Sequence, residues 1–458
     1  MIGEQGLQRA GEVRIEQLKL INASDEVIDL SEFIVELNLY EDLFKNFLHG
    51  SLLLTDSRNL IDKYNIHGEE FLNIKLRTPS FPDSQIIEKT FRVYKLTDRE
   101  IVRDNNTQNY VLHFISNEFF YDVNLPLFSP FEGIITDVAG KIFTDFLATS
   151  RNFEISESNN TIKENPKGTD LLVLNESSNK VKFVSPGWTP FKCINWLASK
   201  AIPKDGTAKN FIFFESNKNF YLCTLEGLFR NTHENKNYFG RYLISASNVR
   251  EDKNSQNVNR EMFLAKDVQM TETTDYIKNY TNGYLANRLI YLDVFNKDYQ
   301  LIDYDHTANY EKQFHSSGKG AEAKPVFNKD TLKNFATNIS FYPKNPKLFD
   351  NYQDNVNEKM GEIHGNRLSS MLELTNIKMN ITVPGRTDAE VGRVIYFEYP
   401  SLGGKESSDT ESSAQDKLYS GYYLITAIHH TVTKLEHQMV MEVIKDSLYV
   451  DKESDSRA

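Results

Sequence analysis

Few side chains in this sequence are spaced for chemistry. Asp303-Tyr304-Asp305-His306 sets two carboxylates and an imidazole within four positions, a donor set that a divalent cation accepts. Its spacing fits no calcium loop, which draws oxygen ligands from alternating positions around a fixed glycine, so it reads as an acidic turn flanking a strand. His429, His430 and His437 are a second metal candidate, but neighbours on a strand point to opposite faces, and only one of the first two can share an ion with His437. They are expected to be surface histidines. Cys193 and Cys223 form no CxxC pair and no Cys-His zinc spacing, which leaves two plain buried thiols. Gly140-Lys141 and Gly318-Lys319 lack the upstream glycine and following Ser/Thr of a phosphate loop, and GxGxxG, GxSxG and HExxH do not occur. A glycosidase needs two carboxylates about 5 to 10 Å apart. The 64 acidic residues supply carboxylates in abundance, but none is isolated in an apolar setting. No catalytic residue, cofactor or metal ligand is assigned.

What must be explained is therefore a scaffold. At 458 residues the chain exceeds one ordinary core and suggests about three units. Its 30 Phe and 23 Tyr favour sheet over helix bundle. The formal charge of -12 argues against gripping a nucleic acid backbone, while an acidic wall suits DNA that merely passes. The first 20 residues lack a secretory apolar core, and no run approaches the ~20 apolar residues of a membrane span. Synthesis as a soluble cytoplasmic protein is expected.

Residues 33–79 carry the clearest pattern. Phe33, Val35, Leu37 and Leu39 alternate, Tyr40 to Asn46 form a connector, Ser51 to Thr55 extend again, and Phe71 to Leu76 resume the alternation until Pro79 stops it. Strands at Phe91 to Leu96 and Tyr110 to Ile115, joined by a turn from Asp98 to Asn109, complete an antiparallel unit. Ser129-Pro130-Phe131-Glu132 has the form of a capping box and predicts a helix from there to about Leu147. Asn152 to Lys167 reads as a polar loop. Thr189-Pro190 predicts a second helix, with Phe191, Ile194, Leu197 and Ala201 on one face and Trp188 and Trp196 as core residues. Phe211 to Phe214 and Phe220 to Leu225 read as a hairpin. From Met371 the opening pattern returns: Gly392 to Pro400 parallels Gly68 to Pro79, and the hairpin Tyr422 to Thr433 with Gln438 to Ser447 parallels Phe91 to Ser116.

The expected fold is mainly β with an α+β insertion. Residues 1–12 form an N-terminal arm, 13–120 a first tube-like antiparallel barrel and 121–230 the α+β domain. A second, discontinuous barrel takes 231–270 and 371–450, around an irregular insertion at 271–370, and 451–458 form a tail. The Ser/Asp-rich stretch 403–413 is expected to be a disordered loop.

The stretches LYEDLF, GSLLLTDSRNL and GEEFLNIKLRTP resemble the central baseplate hub protein of contractile-tailed (myovirus-type) bacteriophages. NIKMNITVPG, GRVIYFEYP and SGYYLITAIHH followed by MEVIKDSL are similar to that family's closing barrel and to the tube-like part of contractile injection system spike proteins. GWTPFKCINWLASKAI resembles the hub's inserted domain. The resemblance implies a non-enzymatic homotrimer in the tail baseplate of a virion, two barrels per chain making a pseudo-six-fold ring. That ring adapts a hexameric tail tube to a trimeric spike and passes DNA through its lumen. It implies as partners further copies of this chain, the tail tube protein, the trimeric spike protein and baseplate wedge proteins, with DNA only as transient cargo and no membrane anchoring. The chain departs from the family in length, in the polar segment 316–368 and at 403–413. The resemblance transfers no single functional residue. Tyr40, Leu43 and Phe44, in the connector between the first two strands, are the candidate subunit contacts, the other reading being packing within their own barrel. The alternatives are a glycan-cleaving virion enzyme and a glycan- or receptor-binding tail protein, on the acidic, aromatic-rich composition.

Overall fold

The computed structural model describes residues 7–446 apart from 83–84, 103–106, 149–151, 156–161, 166–169, 205–209, 234–236, 245–257, 259, 295, 310–337, 345–355, 375, 401–415 and 417. The expected features at 1–6, 316–325, 403–413 and 451–458 lie outside the described residues.

Strands β1 (Arg14–Ile21), β2 (Val27–Asp29), β3 (Ile34–Asp42), β4 (His49–Asp56), β5 (Phe71–Arg77), β6 (Ile87–Val102) and β7 (Thr107–Ser116) form the first barrel, with helix α1 (Leu60–Tyr64) between β4 and β5 and α2 (Asn117–Asp122) after β7. Their hydrogen-bonded order is β3-β4-β7-β6-β5-β1-β2. Alternate residues face one core, and Leu18 and Leu20 of β1 reach the same core as Leu37 and Leu39 of β3 from the far end of that order. The sheet is therefore curled on itself. Tyr40 lies in β3 and not in a connector. The turn expected at 98–109 is shorter, because a bulge between Thr97 and Glu100 lets the ladder continue to Val102 and Thr107.

The α+β unit comprises β8 (Pro130–Ile134), α3 (Ile135–Phe146), β9 (Asn152–Ile155), β10 (Ile162–Asn165), β11 (Leu171–Val173), β12 (Lys180–Val184), α4 (Pro190–Lys200), β13 (Phe211–Glu215), β14 (Phe220–Thr224) and α5 (Leu225–His233). The helix expected from Ser129, with Pro130 as its first position, starts five residues past that proline, at Ile135. Pro130 instead opens β8, where its missing N–H is tolerated, and Phe131 is buried opposite Phe183 of β12. The polar loop expected at 152–167 contains the hairpin β9–β10. Helix α4 starts where expected, capped by Thr189. A second cap comes from afar: the Phe191 N–H donates to Asp122 Oδ1 at 2.7 Å. Asp122→Ala leaves that buried donor unpaired and is expected to lower stability by about 1–3 kcal/mol in denaturant unfolding. Trp188 and Trp196 pack against the unit's core with ring centroids 5.6 Å apart, and both cysteines are free and buried.

Next come β15 (Tyr238–Ile244), β16 (Leu264–Ala265), β17 (Asp267–Glu272), α6 (Tyr276–Thr281), β18 (Ala286–Asp293), β19 (Asp298–Asp305), α7 (His306–Asn309), β20 (Asn338–Lys344) and α8 (Val356–Glu373), then β21 (Ile377–Pro384), β22 (Val394–Glu398), β23 (Gly421–Val432) and β24 (His437–Lys445). The insertion, expected to be irregular with some strands, holds a three-stranded sheet, β19-β18-β20, and in addition the 18-residue helix α8. Sequence periodicity missed α8 because polar and small residues make its contacts. Ser369 Oγ donates to Tyr284 O at 2.8 Å and lies 3.1 Å from His306 Nδ1, and Gly365 sits against Tyr304.

The remaining strands make the second barrel, in the order β17-β21-β24-β23-β22-β15-β16. Position by position, β3-β4-β7-β6-β5-β1 of the first barrel is repeated as β17-β21-β24-β23-β22-β15, so the duplication read from the two hairpins is present in the strand order. One pairing differs: β15 runs parallel to β22, whereas β1 is antiparallel to β5. The two barrels share one sheet because β23 divides its edge. Val394–Phe397 of β22 pair with Gly421–Leu424, and β3 pairs with Ala427–Val432.

Candidate assembly site at the seam between the barrels

The β3–β23 seam places histidines on both faces of the sheet. Tyr40, opposite His49 on one side and His429 on the other, stacks between them with centroids at 5.0 and 4.3 Å. Burial lowers the pKa of both imidazoles. On the other face Glu41, His430 and His437 are all buried, not exposed as expected. His430 Nε2 lies 3.1 Å from Glu41 Oε1, and His430 Nδ1 lies 3.0 Å from His437 Nε2. Burial, and then the neighbouring His430, hold the His437 pKa well below the usual imidazole value. Opposite facing of His429 and His430 is what the strand periodicity requires. Among the described residues no three His, Cys, Asp or Glu side chains are gathered to hold a metal ion.

The candidate contact residues part company here. Leu43 is fully enclosed by its own chain, packed in the core of the second barrel with Phe214 and Leu228, and its N–H donates to Thr426 O at 2.8 Å. That enclosure takes its side chain out of the set available to another subunit. Tyr40 is half-buried in its histidine stack. Phe44 projects, 50% exposed, over a cavity of about 350 Å³ bordered by Ala198 of α4, Phe211 of β13 and Met371 of α8.

Two further joints escaped the sequence reading. Glu215, at the end of β13, is fully buried against the first barrel, where it accepts from Leu48 N at 2.8 Å and from Ser116 Oγ and pairs with Lys89. Burial pushes its carboxyl up to about 7, opposed by Lys89 and Ser116. Arg386, between β21 and β22, binds Asp388 through two bonds of 3.0 and 2.7 Å, with its guanidinium 4.6 Å from the ring centroids of both Phe239 and Phe263. The Asp303–His306 stretch is divided between elements: Asp303 pairs with Arg288 across β18–β19, whose hydrogen bonds lower its carboxyl, while His306 starts α7.

No family model and no curated protein matches the chain. Solved structures do. The chain is similar to a tail protein from Neisseria meningitidis, at 8% identity and TM-score 0.50, over 94% of this chain and 97% of that one. It is equally similar to the 43 kDa tail protein of prophage MuSo2 from Shewanella oneidensis, at 9% identity and TM-score 0.50, over 95% and 100%. The chain has the fold of phage tail proteins. A prophage tail protein from Listeria monocytogenes aligns over 93% and 94% at 8% identity, with TM-score 0.46. Among the described residues no helix is long and apolar enough to cross a membrane.

Proposed function

We propose that the chain is a structural, non-enzymatic component of a phage tail, the hub of a contractile-tail baseplate. The observation that carries this reading is the repeated strand order. Two copies of one curled module, joined edge to edge through β3 and β23, let three chains present six equivalent modules to a hexameric tube while offering three-fold symmetry to a spike. The ring's lumen would pass DNA, and an acidic chain of net charge -12 suits a wall that must not retain it. The tail tube protein, the trimeric spike protein and baseplate wedge proteins are the proposed partners. The division into 13–120, 121–230, 231–270 with 371–450, and 271–370 is proposed with it.

Light scattering is expected to give a particle three times the 52.9 kDa chain mass for the purified chain, and a heavier one once a candidate spike protein is added. A monomer in both conditions up to high micromolar concentration would count decisively against the reading. Phe44 is the exposed candidate at the proposed subunit contact, and Tyr40 is the half-buried one. Phe44→Asp is expected to weaken trimer formation about tenfold or more, as truncation of a buried aromatic anchor does, while leaving the monomer's thermal midpoint unchanged.

A further inference from the structure

We infer that the Glu41–His430–His437 chain is an acid-sensitive latch holding the two barrels together, which releases the β3–β23 seam when its second histidine gains a proton. This goes beyond the assembly role and does not depend on it.

The geometry defines the proton count. Glu41 Oε1 can only accept, so His430 donates through Nε2 across 3.1 Å. When both rings are neutral, His430 Nδ1 must then accept from His437 Nε2 across 3.0 Å. A proton added to His437 enters at Nδ1, which is buried and has no hydrogen-bond partner among the described residues, so the charged ring gains no contact to offset its burial.

The surroundings give His437 no relief. Its ring is covered by Gly385, where an added Cβ would stand 2.1 Å from His437 Cγ. Its backbone is held on both sides, the N–H donating to Gly11 O and the carbonyl accepting from Gly385 N, each at 2.7 Å. Among the described residues the charged groups on the elements packed around the latch have contacts of their own, Lys434 of the β23–β24 turn donating to the Glu32 carbonyl at 2.8 Å. Arg386 binds Asp388, Glu390 binds Lys218, and Glu436, beside His437, binds Lys266. Of the N-terminal arm, Glu12 accepts from Gln8 N, and Arg9 is exposed. The second oxygen of Glu41 accepts from the Asn217 N–H at 3.3 Å, so the α+β unit also rests on the latch.

The sign follows from His437, whose pKa is lowered by burial first and by His430 second. A group protonated more readily in the open or unfolded chain contributes stability that is present above the ordinary value of 6.5 and is lost as pH falls from there toward the lowered value. One such proton shifts the open-to-closed ratio by about tenfold per pH unit in that window.

Hydrogen exchange on the full chain between pH 8 and 5, corrected for the intrinsic pH dependence of exchange, tests this. Amides of β3 and β23 at the seam are expected to lose about tenfold protection per pH unit below 6.5 relative to the β6–β7 amides. In His437→Gln, which keeps a donor toward His430, the share of that slope owed to His437 should vanish, leaving what His429 and His49 contribute on the opposite face. Glu41→Gln, which keeps an acceptor toward His430 Nε2, should keep the slope. Should His437→Gln fail to fold, the wild-type slope and its persistence in Glu41→Gln still decide the matter. Seam protection that is flat with pH in the wild type, or a slope that Glu41→Gln abolishes, overturns the latch.

Discussion

Glu215→Ala is expected to cost about 3–5 kcal/mol, the penalty of breaking a buried ion pair from one side. The removed carboxylate is fully buried and serves three donors, Lys89, Ser116 Oγ and the Leu48 N–H. Among the described residues Lys89 would keep the Ser216 carbonyl at 3.4 Å and the face of Phe220 at 5.5 Å, too little to hold an ammonium 8% exposed. The double variant Lys89→Met/Glu215→Leu removes both charges and is expected to recover most of the loss, since an apolar pair of similar volume often matches a buried ion pair. Denaturant unfolding of the four proteins of the cycle measures the coupling. A Glu215→Ala chain as stable as wild type would show that the joint carries no weight. The pH dependence of this joint opposes that of the seam. With the carboxyl pushed up to about 7 from 4.5, its contribution is fully present below 4.5 and is lost as pH rises through about 7. Acidification therefore favours the Glu215 joint while loosening the seam. Glu215→Gln should remove only the first of these trends.

The strands and their duplication were legible in the sequence because alternation is a local signal, repeated at every second residue of β4, β21 and β24 and of β3 from Leu37 on, a bulge at Ile34–Glu36 leaving Val35 exposed and Ile34 buried. Helix α8 was not, because its buried stripe includes Gly365 and Ser369, whose contacts are polar or very close. The capping signal at Ser129 was overruled by pairing of β8 with β12, a partner about fifty residues away that no local window sees. The joints were nonetheless written into the pattern. Glu41 continues the core-facing series Leu37, Leu39; His430 lies between Ile428 and Val432; His437 heads Met439, Met441, Val443; and Glu215 follows Phe211, Phe213. A titratable residue on the apolar parity of a strand is a buried polar group that must find a partner. That signal was available for all four residues. What a single sequence could not supply was the partner, since Glu41 and His430 are separated by 389 positions and Ser116 and Glu215 by 99.

Gly50→Ala is expected to cost about 3 kcal/mol, at the upper end of overpacking in a close-packed interior. Gly50 holds the core-facing parity of β4 with Leu52 and Leu54, yet it presents no side chain. The reason is a close approach. A Cβ there would stand 2.2 Å from the Asn38 carbonyl oxygen and 2.3 Å from Phe114 Cζ. The phenyl ring can turn aside, but Asn38 O belongs to the backbone of β3 and moves only with its strand. Moving β3 disturbs Tyr40, two residues on, and with it the stack on His49 and His429 that bridges to the second barrel. Adding Phe114→Leu to Gly50→Ala should therefore restore only part of the loss, because it relieves one of the two clashes. The denaturant midpoint should fall with an unchanged slope, marking lost stability of the same folded state. Tyr40 and His429 should exchange contacts in the same variant, read as faster hydrogen exchange across β3 and β23 at pH 8, where the histidine latch is closed. Wild-type exchange at the seam together with a lowered midpoint would confine the effect of Gly50 to the first barrel and separate the two modules mechanically.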